Sequence, residues 1–121
     1  MTPPLASLDV SGDGSAPVAV LTGQIDLSNA AALSSAMMEA VSNSTTGLVI
    51  DLSGLEYMDS AGVNMLADLH ERLRWREQRL AIVAPAGSRP REVLELAGTG
   101  GILLIDETRE NALGRVAGRS P

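Results

Sequence analysis

Cysteine is absent from the 121 residues, which excludes disulfides, thiolate nucleophiles and thiolate metal sites and fits a reducing compartment. Lysine is absent too. All nine basic residues are arginine, so Schiff-base chemistry and a lysine phosphate clamp are excluded. Phenylalanine is missing, and with one Tyr and one Trp the chain has almost no surface for stacking on bases. Fifteen acids against nine arginines give a formal charge of -6, the wrong sign for phosphate backbones or anionic lipid. No apolar run approaches the ~18 residues of a spanning helix. Met1-Thr2-Pro3-Pro4 lacks the basic start and apolar run of a secretory signal. Nucleic acid and membrane are therefore set aside as partners, and a cytoplasmic protein is expected.

What is present is a globular composition, 45% apolar and 20% charged, whose core must be built from Leu, Val, Ile, Ala and Met. One domain over residues 1–121 is expected, with its core at about 5–116. Residues 5–10 and 18–22 are short apolar segments joined by turn-forming Gly, Asp and Ser residues, and they read as a β-hairpin. Ser28 is the expected cap of a helix over 29–43, with Leu33, Ala36, Met37 and Ala40 inward. Residues 48–52 and 80–84 read as buried strands, and 102–105 as a last one. Between them come a helix from Ser60 to about Arg76 and a third helix opened by Ser88 and Pro90. The latter has Val93, Leu94 and Ala97 inward and Gly98 as its stop. Residues 107–116 make a final helix, and 118–121 should fray. Strands alternating with helices after an opening hairpin predict an α/β fold: a small mixed, mainly parallel sheet flanked by helices.

The segment from Val49 to Val63 reads as a strand running through a short loop into a helix, and it puts Ser60 at an exposed helix N-terminus. Phosphate is well tolerated there, among N–H groups without intrahelical partners and in the positive end of the dipole. At 100° per residue Gly62, Met65, Leu66, Leu69 and Leu73 form the core side of this helix. Ser60, Asn64, Asp68, Glu71 and Trp75 fall opposite, a polar stripe from the serine to the only tryptophan. An exposed Trp75 either meets a partner or lies over a neighbouring loop.

Asp26, Asp51, Asp59 and His70 supply carboxylates and an imidazole, but no spacing among them suggests a triad or a metal cluster. His70, the only histidine, sits at the edge of the apolar stripe as a structural residue. Gly98-Thr99-Gly100-Gly101 follows a helix rather than a strand and precedes no lysine, so it reads as a helix stop and not a phosphate loop. No catalytic residue, metal or cofactor is expected, and the chain is not read as an enzyme.

The run Leu48-Val49-Ile50-Asp51-Leu52-Ser53-Gly54-Leu55-Glu56-Tyr57-Met58-Asp59-Ser60-Ala61-Gly62-Val63 resembles the signature strand and loop of STAS domains, in particular those of bacterial anti-sigma factor antagonists. Leu21-Thr22-Gly23-Gln24-Ile25-Asp26 upstream and Leu80-Ala81-Ile82-Val83-Ala84 and Val93-Leu94-Glu95-Leu96-Ala97-Gly98 downstream stand in the family's order, so the resemblance covers nearly the whole chain. It implies a partner switch: the unmodified antagonist binds an anti-sigma factor that is also a serine kinase, a sigma factor is released, and phosphorylation reverses the binding. The family's phosphoserine maps onto Ser60, the acid before it onto Asp59 and the upstream loop acid onto Asp26.

Asp59 either orients the serine hydroxyl for the kinase or caps the helix. Asp26 either borders the site or makes an ordinary loop turn. The proposed partner surface is Asp26, Asp59, Ser60, Asn64, Asp68, Glu71 and Trp75. A phosphoserine phosphatase would reset the switch, and a homodimer stays open. Gln24, Ala61 and Val63 depart from the family pattern without removing the hydroxyl. The alternative is a non-switching STAS scaffold or adaptor subunit of a stress-signalling or lipid-transport assembly.

Overall fold

The structure is a computed structural model that describes residues 6–12 and 16–117. Strands β1 (Ala6–Ser11) and β2 (Val18–Ile25) pair antiparallel with Leu8 opposite Leu21. This is the expected hairpin; its start at Leu5, and residues 13–15 of its connection, lie outside the described residues. Then come α1 (Ala30–Glu39), β3 (Gly47–Asp51), β4 (Leu55–Met58) and α2 (Ser60–Trp75). The order closes with β5 (Arg79–Val83), α3 (Arg89–Leu96), a 3-10 turn at Thr99–Gly101, β6 (Leu104–Asp106) and α4 (Arg109–Ala117). The expected fraying at 118–121 also lies outside the described residues.

The sheet runs β1-β2-β3-β5-β6, parallel after the hairpin, with β4 paired parallel to β2. The mixed, mainly parallel sheet flanked by helices is thus present. Strand order advances in one direction from β2 to β6, and right-handed crossovers stepping one way put their helices on one face. Accordingly Leu33 and Met37 of α1, Leu66, Leu69 and Leu73 of α2 and Leu94 of α3 share one aliphatic cluster with Leu48, Ile50, Leu80 and Ile82. Ala112 and Val116 of α4 meet Val18, Val49, Ala81 and Val83 in a second cluster. Successive residues of β3 and β5 go to opposite clusters, which is why both strands read as unbroken apolar runs.

Several local expectations are corrected. Ser28 does not cap α1: its hydroxyl donates to Asp26 Oδ1 at 2.5 Å, and the N-cap position falls on Asn29. The helix is shorter than 29–43, and its buried side is Ala30, Leu33, Ser34 and Met37; Ala36 is exposed and Ala40 half-buried. Leu33 and Met37 face inward as expected, whereas alanine and serine mark a face poorly, so Ala30 and Ser34 take the places expected for Ala36 and Ala40. Ser88 does cap α3, accepting from the Arg91 N–H at 3.3 Å, and Gly98 follows the helix at φ 73°. Its inward side, however, is Pro90 and Leu94 with Val93 half-buried, while Ala97 is exposed. The last strand is Leu104–Asp106, not 102–105, because Ile102 closes the 3-10 turn through a bond from its N–H to the Thr99 carbonyl.

Candidate functional site

Residues 55–58, expected as loop, form a strand that decides where the serine stands. β3 pairs with residues 18–20 of β2 and β4 with residues 23–25, with a register shift between Gly23 and Gln24. Between them the Leu55 N–H donates to the Leu52 carbonyl at 3.0 Å, closing a turn. β4 then carries the chain to the end of β2, where the Asp59 N–H donates to the Ile25 carbonyl at 3.4 Å. The loop starting at Asp26 and the first turn of α2 are thereby set side by side.

Ser60 is the first residue of α2 and is exposed. Asp59 is the N-cap: its Oδ1 accepts from the Ala61 N–H at 2.9 Å, and its carbonyl accepts from Gly62 and Val63 at 3.0 and 3.3 Å. Asp59 thus engages three N–H groups of the first turn, and a phosphate on Ser60 would draw mainly on the helix dipole rather than on free amides. The helix sits close on β4 because residue 62 is glycine; a Cβ there would meet Met58 Cγ at 2.2 Å.

The neighbouring loop is pinned by its own side chains. Asp26 Oδ1 accepts from the Ser28 N–H at 2.8 Å and from its hydroxyl, an Asx-turn. Asn29 Oδ1 accepts from the Asp26 N–H at 3.0 Å, and Asn29 Nδ2 donates to the Gln24 carbonyl at 2.9 Å. The Ser28 hydroxyl and N–H hold the Asp26 carboxyl below the usual aspartate value. Leu27 between them projects with 86% of its surface exposed.

The stripe on α2 is exposed along its length, as its spacing predicts, and the opposite side buries Gly62, Met65, Leu66, Leu69 and Leu73. Asn64 and Asp68 stand beside a groove between α1 and α2. Asp68 pairs with Arg72 and Glu71 with Arg74, each at 3.2 Å. Trp75, 81% exposed, lies in a separate shallow depression with Arg74 and Glu77. A rise of 1.5 Å per residue puts it roughly 22 Å along the helix from Ser60. Asp26, Asp59, Ser60 and Asn64 are therefore brought together at one end, and Glu71 and Trp75 belong to the other.

The family model described as Mlab, STAS domain, matches residues 8–106. The chain belongs to the STAS domain family. This STAS domain is similar to anti-sigma-F factor antagonist RsfB of Mycobacterium tuberculosis, 39% identical over 103 residues that cover 84% of this chain and 83% of that one. Its fold is similar to the crystal structure of an anti-sigma factor antagonist from Mycobacterium paratuberculosis, with a TM-score of 0.80 and 29% identity over 93% of this chain and 94% of that one. The anti-sigma factor antagonist SpoIIAA in its unphosphorylated form shares the fold, with a TM-score of 0.73 and 21% identity over 95% and 100% of the two chains.

Other polar groups of this STAS domain are employed elsewhere. Asp51, 3% exposed, accepts from Ser53 and pairs with Arg109, which fastens α4 to the end of β3. His70 is half-buried on α2, and the Thr99 hydroxyl donates to the Leu94 carbonyl at 2.9 Å, closing off α3. Among the described residues no group of three or more His, Cys, Asp or Glu is placed to hold a metal, and no helix is long and apolar enough to cross a membrane. The β4 strand, Leu27 and the α1–α2 groove were not read from the sequence. Leu27, a lone leucine between Asp26 and Ser28, was the one available signal.

Proposed function

We propose that this STAS domain is an anti-sigma factor antagonist that binds a serine-kinase anti-sigma factor while Ser60 is unmodified, freeing a sigma factor, and loses that binding when Ser60 is phosphorylated. The observation that carries this reading is the exposed Ser60 hydroxyl at the first position of α2, directly after the capping Asp59 and beside the Asp26 loop. Phosphorylation adds about -1.5 to -2 charge and three acceptor oxygens. That charge enters a surface already acidic, and its bulk stands where a partner must pack. Asp59 both caps the helix and orients the serine hydroxyl toward the kinase. Asp26 borders the docking surface from a pinned loop.

The docking surface comprises Asp26, Asp59, Ser60, Asn64, Asp68, Glu71 and Trp75. A standard interface covers about 800 Å² on each partner, roughly 30 Å across, so one footprint centred on α2 reaches both Ser60 and Trp75. In this reading the chain acts as a single unit in the cytoplasm, as a substrate rather than an enzyme, and a phosphoserine phosphatase restores it. The relatives named as antagonists support the anti-sigma partner.

The test is incubation of the purified protein with candidate serine-kinase anti-sigma factors and Mg-ATP, with the phosphate located by peptide mass spectrometry. Phosphate on Ser60, abolished in Ser60→Ala, and weaker binding of the modified protein are expected. A stable complex that never transfers phosphate would replace the switch with the scaffold reading.

A further inference from the structure

The groove between α1 and α2 has a volume of about 360 Å³, with Leu27, Ala30, Ala31, Ala61 and Met65 as its apolar wall. It is open because the α1 side presents only Ala30, Ala31, Ser34 and Ser35, small side chains that leave the gap toward α2 unfilled. Two further features distinguish it from loose packing. Leu27 stands 86% exposed at its mouth, held out by the hydrogen bonds of Asp26, Ser28 and Asn29 rather than folded in. Ser34, which lines the groove and is 8% exposed, has a buried Oγ with no hydrogen-bond partner. Such a hydroxyl is a deficit in the free protein, and because its Oγ is closed off, a docked polar group would remove the deficit by parting the wall around it on insertion.

The surroundings select the occupant. Ala61 follows Ser60 directly, so the groove is continuous with the surface around the serine. On the wall Asp68 is paired with Arg72, so the unbalanced charge lies at the Ser60 end, where Asp26 and Asp59 stand, in a chain of net charge -6. An apolar group entering here is best carried on a segment with basic neighbours.

We propose that the α1–α2 groove is the socket for one aliphatic side chain from a basic segment of the anti-sigma partner, with the Ser34 hydroxyl bonded to a polar group of that segment. This rests on the partner-switch reading and adds that affinity is anchored beside Ser60 rather than on it. Leu27 closes over the inserted side chain, and the Ser60 phosphate acts by repelling the segment that carries it.

The experiment uses the full chain and the anti-sigma kinase found to phosphorylate Ser60, with binding measured by calorimetry at two salt concentrations. Leu27→Ala and Ala31→Trp should each weaken binding about 10-fold or more, the size of an interface anchor. Ser34→Ala should leave the unfolding midpoint unchanged or raised yet weaken binding roughly 3-fold or more, which a purely structural serine would not do. Binding of the unaltered chain should weaken as salt rises, and salt-independent binding would overturn the basic segment. Should Ala31→Trp disturb the fold by circular dichroism, Leu27→Ala decides, since its side chain is exposed. If Ser60→Asp weakens binding while Leu27→Ala and Ala31→Trp bind within 2-fold of the unaltered chain, the socket is wrong and the switch stands. If Ser60→Asp binds like the unaltered chain while the groove variants fail, the switch is wrong and the socket stands. A dimer of the free chain that Ala31→Trp abolishes, with kinase binding unchanged, would assign the groove to a second copy and overturn the proposal.

Discussion

Arg109→Ala isolates a charge that the fold has buried. Arg109 Nε lies 2.6 Å from Asp51 Oδ2, and the two side chains differ in exposure, 50% for the arginine and 4% for the aspartate. Asp51 also accepts from the Ser53 N–H at 2.9 Å and from its hydroxyl at 2.6 Å. The pair fastens α4 to the end of β3, just before the turn that leads through β4 to Ser60. Removing one partner of a fully buried pair costs ~3–5 kcal/mol; the half-exposed arginine and the two Ser53 bonds bring this to about 2 kcal/mol. Asp51→Asn removes the charge, keeps an acceptor for Ser53 and lets Arg109 turn to water, so it should cost only about 1 kcal/mol. The double variant strands no charge and should be more stable than Arg109→Ala alone. Urea unfolding at pH 7 reads this directly: with a slope of ~1–3 kcal/mol/M, 2 kcal/mol lowers the midpoint by roughly 1 M. Asp51→Asn costing more than Arg109→Ala, or a double variant no better than Arg109→Ala, would refute the reasoning.

The same pair gives a sign for pH. Burial pushes the Asp51 carboxyl up, but the Ser53 hydroxyl, Arg109 and the Ser53 N–H outweigh it and hold the group below its ordinary value. A carboxyl whose folded pKa is depressed stabilises fully above its unfolded value near ~4, and this is lost as pH falls through the folded value. Below about pH 4 the unaltered chain should therefore lose stability more steeply than Asp51→Asn.

Asp59→Ala removes the side-chain bond to the Ala61 N–H and should cost ~1 kcal/mol, read as a lower thermal midpoint, and should also slow phosphate transfer to Ser60. Ser28→Ala should leave global stability within about 0.5 kcal/mol, because Ser28 is no cap. It should move the Asp26 carboxyl back up toward its ordinary value, measured by NMR titration, because Ser28 is what lowers it. Trp75→Ala should also keep stability within about 0.5 kcal/mol while weakening the kinase complex; unchanged binding would remove Trp75 from the docking surface.

The sequence showed the elements whose signal is carried by large side chains. β3 and β5 alternate between two apolar clusters, and Leu66, Leu69 and Leu73 mark one side of α2, so both patterns survive in the linear order. α1 was legible as a helix with Leu33 and Met37 inward, but not in its small residues, since alanine and serine look alike on either side. Its start was misplaced because Ser28 and Asn29 are both good caps, and only the geometry of the Asp26 turn shows that the Ser28 hydroxyl is used elsewhere. β4 was illegible for another reason. It has four residues, two of them exposed, and it is held by the second half of a strand thirty residues earlier, information that no local window contains. At the site, Ser60 and Asp59 could be read locally because helix capping is local. The approach of Asp26 to them and the groove beside them depend on that non-local pairing.

Where the serine stands explains how one modification could spare the fold and break a complex. In the free protein a Ser60 phosphate meets two opposing small effects. The helix dipole favours it by ~0.3–1 kcal/mol. The Asp59 carboxylate repels its charge of about -1.5 to -2 by roughly 1.5–2 kcal/mol in a water-like surrounding at contact distance. Three first-turn amides are already held by Asp59, so the phosphate has little reason to reorganise the helix, and the thermal midpoint should move by no more than a few degrees. Under a docked partner the water is excluded, and the same charge, crowded by Asp59 and Asp26, costs several kcal/mol. At 1.4 kcal/mol per tenfold, 3 kcal/mol already weakens binding more than 100-fold. Phosphorylated protein melting together with unmodified protein, but binding its kinase at least 100-fold more weakly, is the expected pairing. If instead the midpoint falls in step with the affinity, phosphorylation acts by unfolding the first turn of α2, and the difference in dielectric is not the source of the switch.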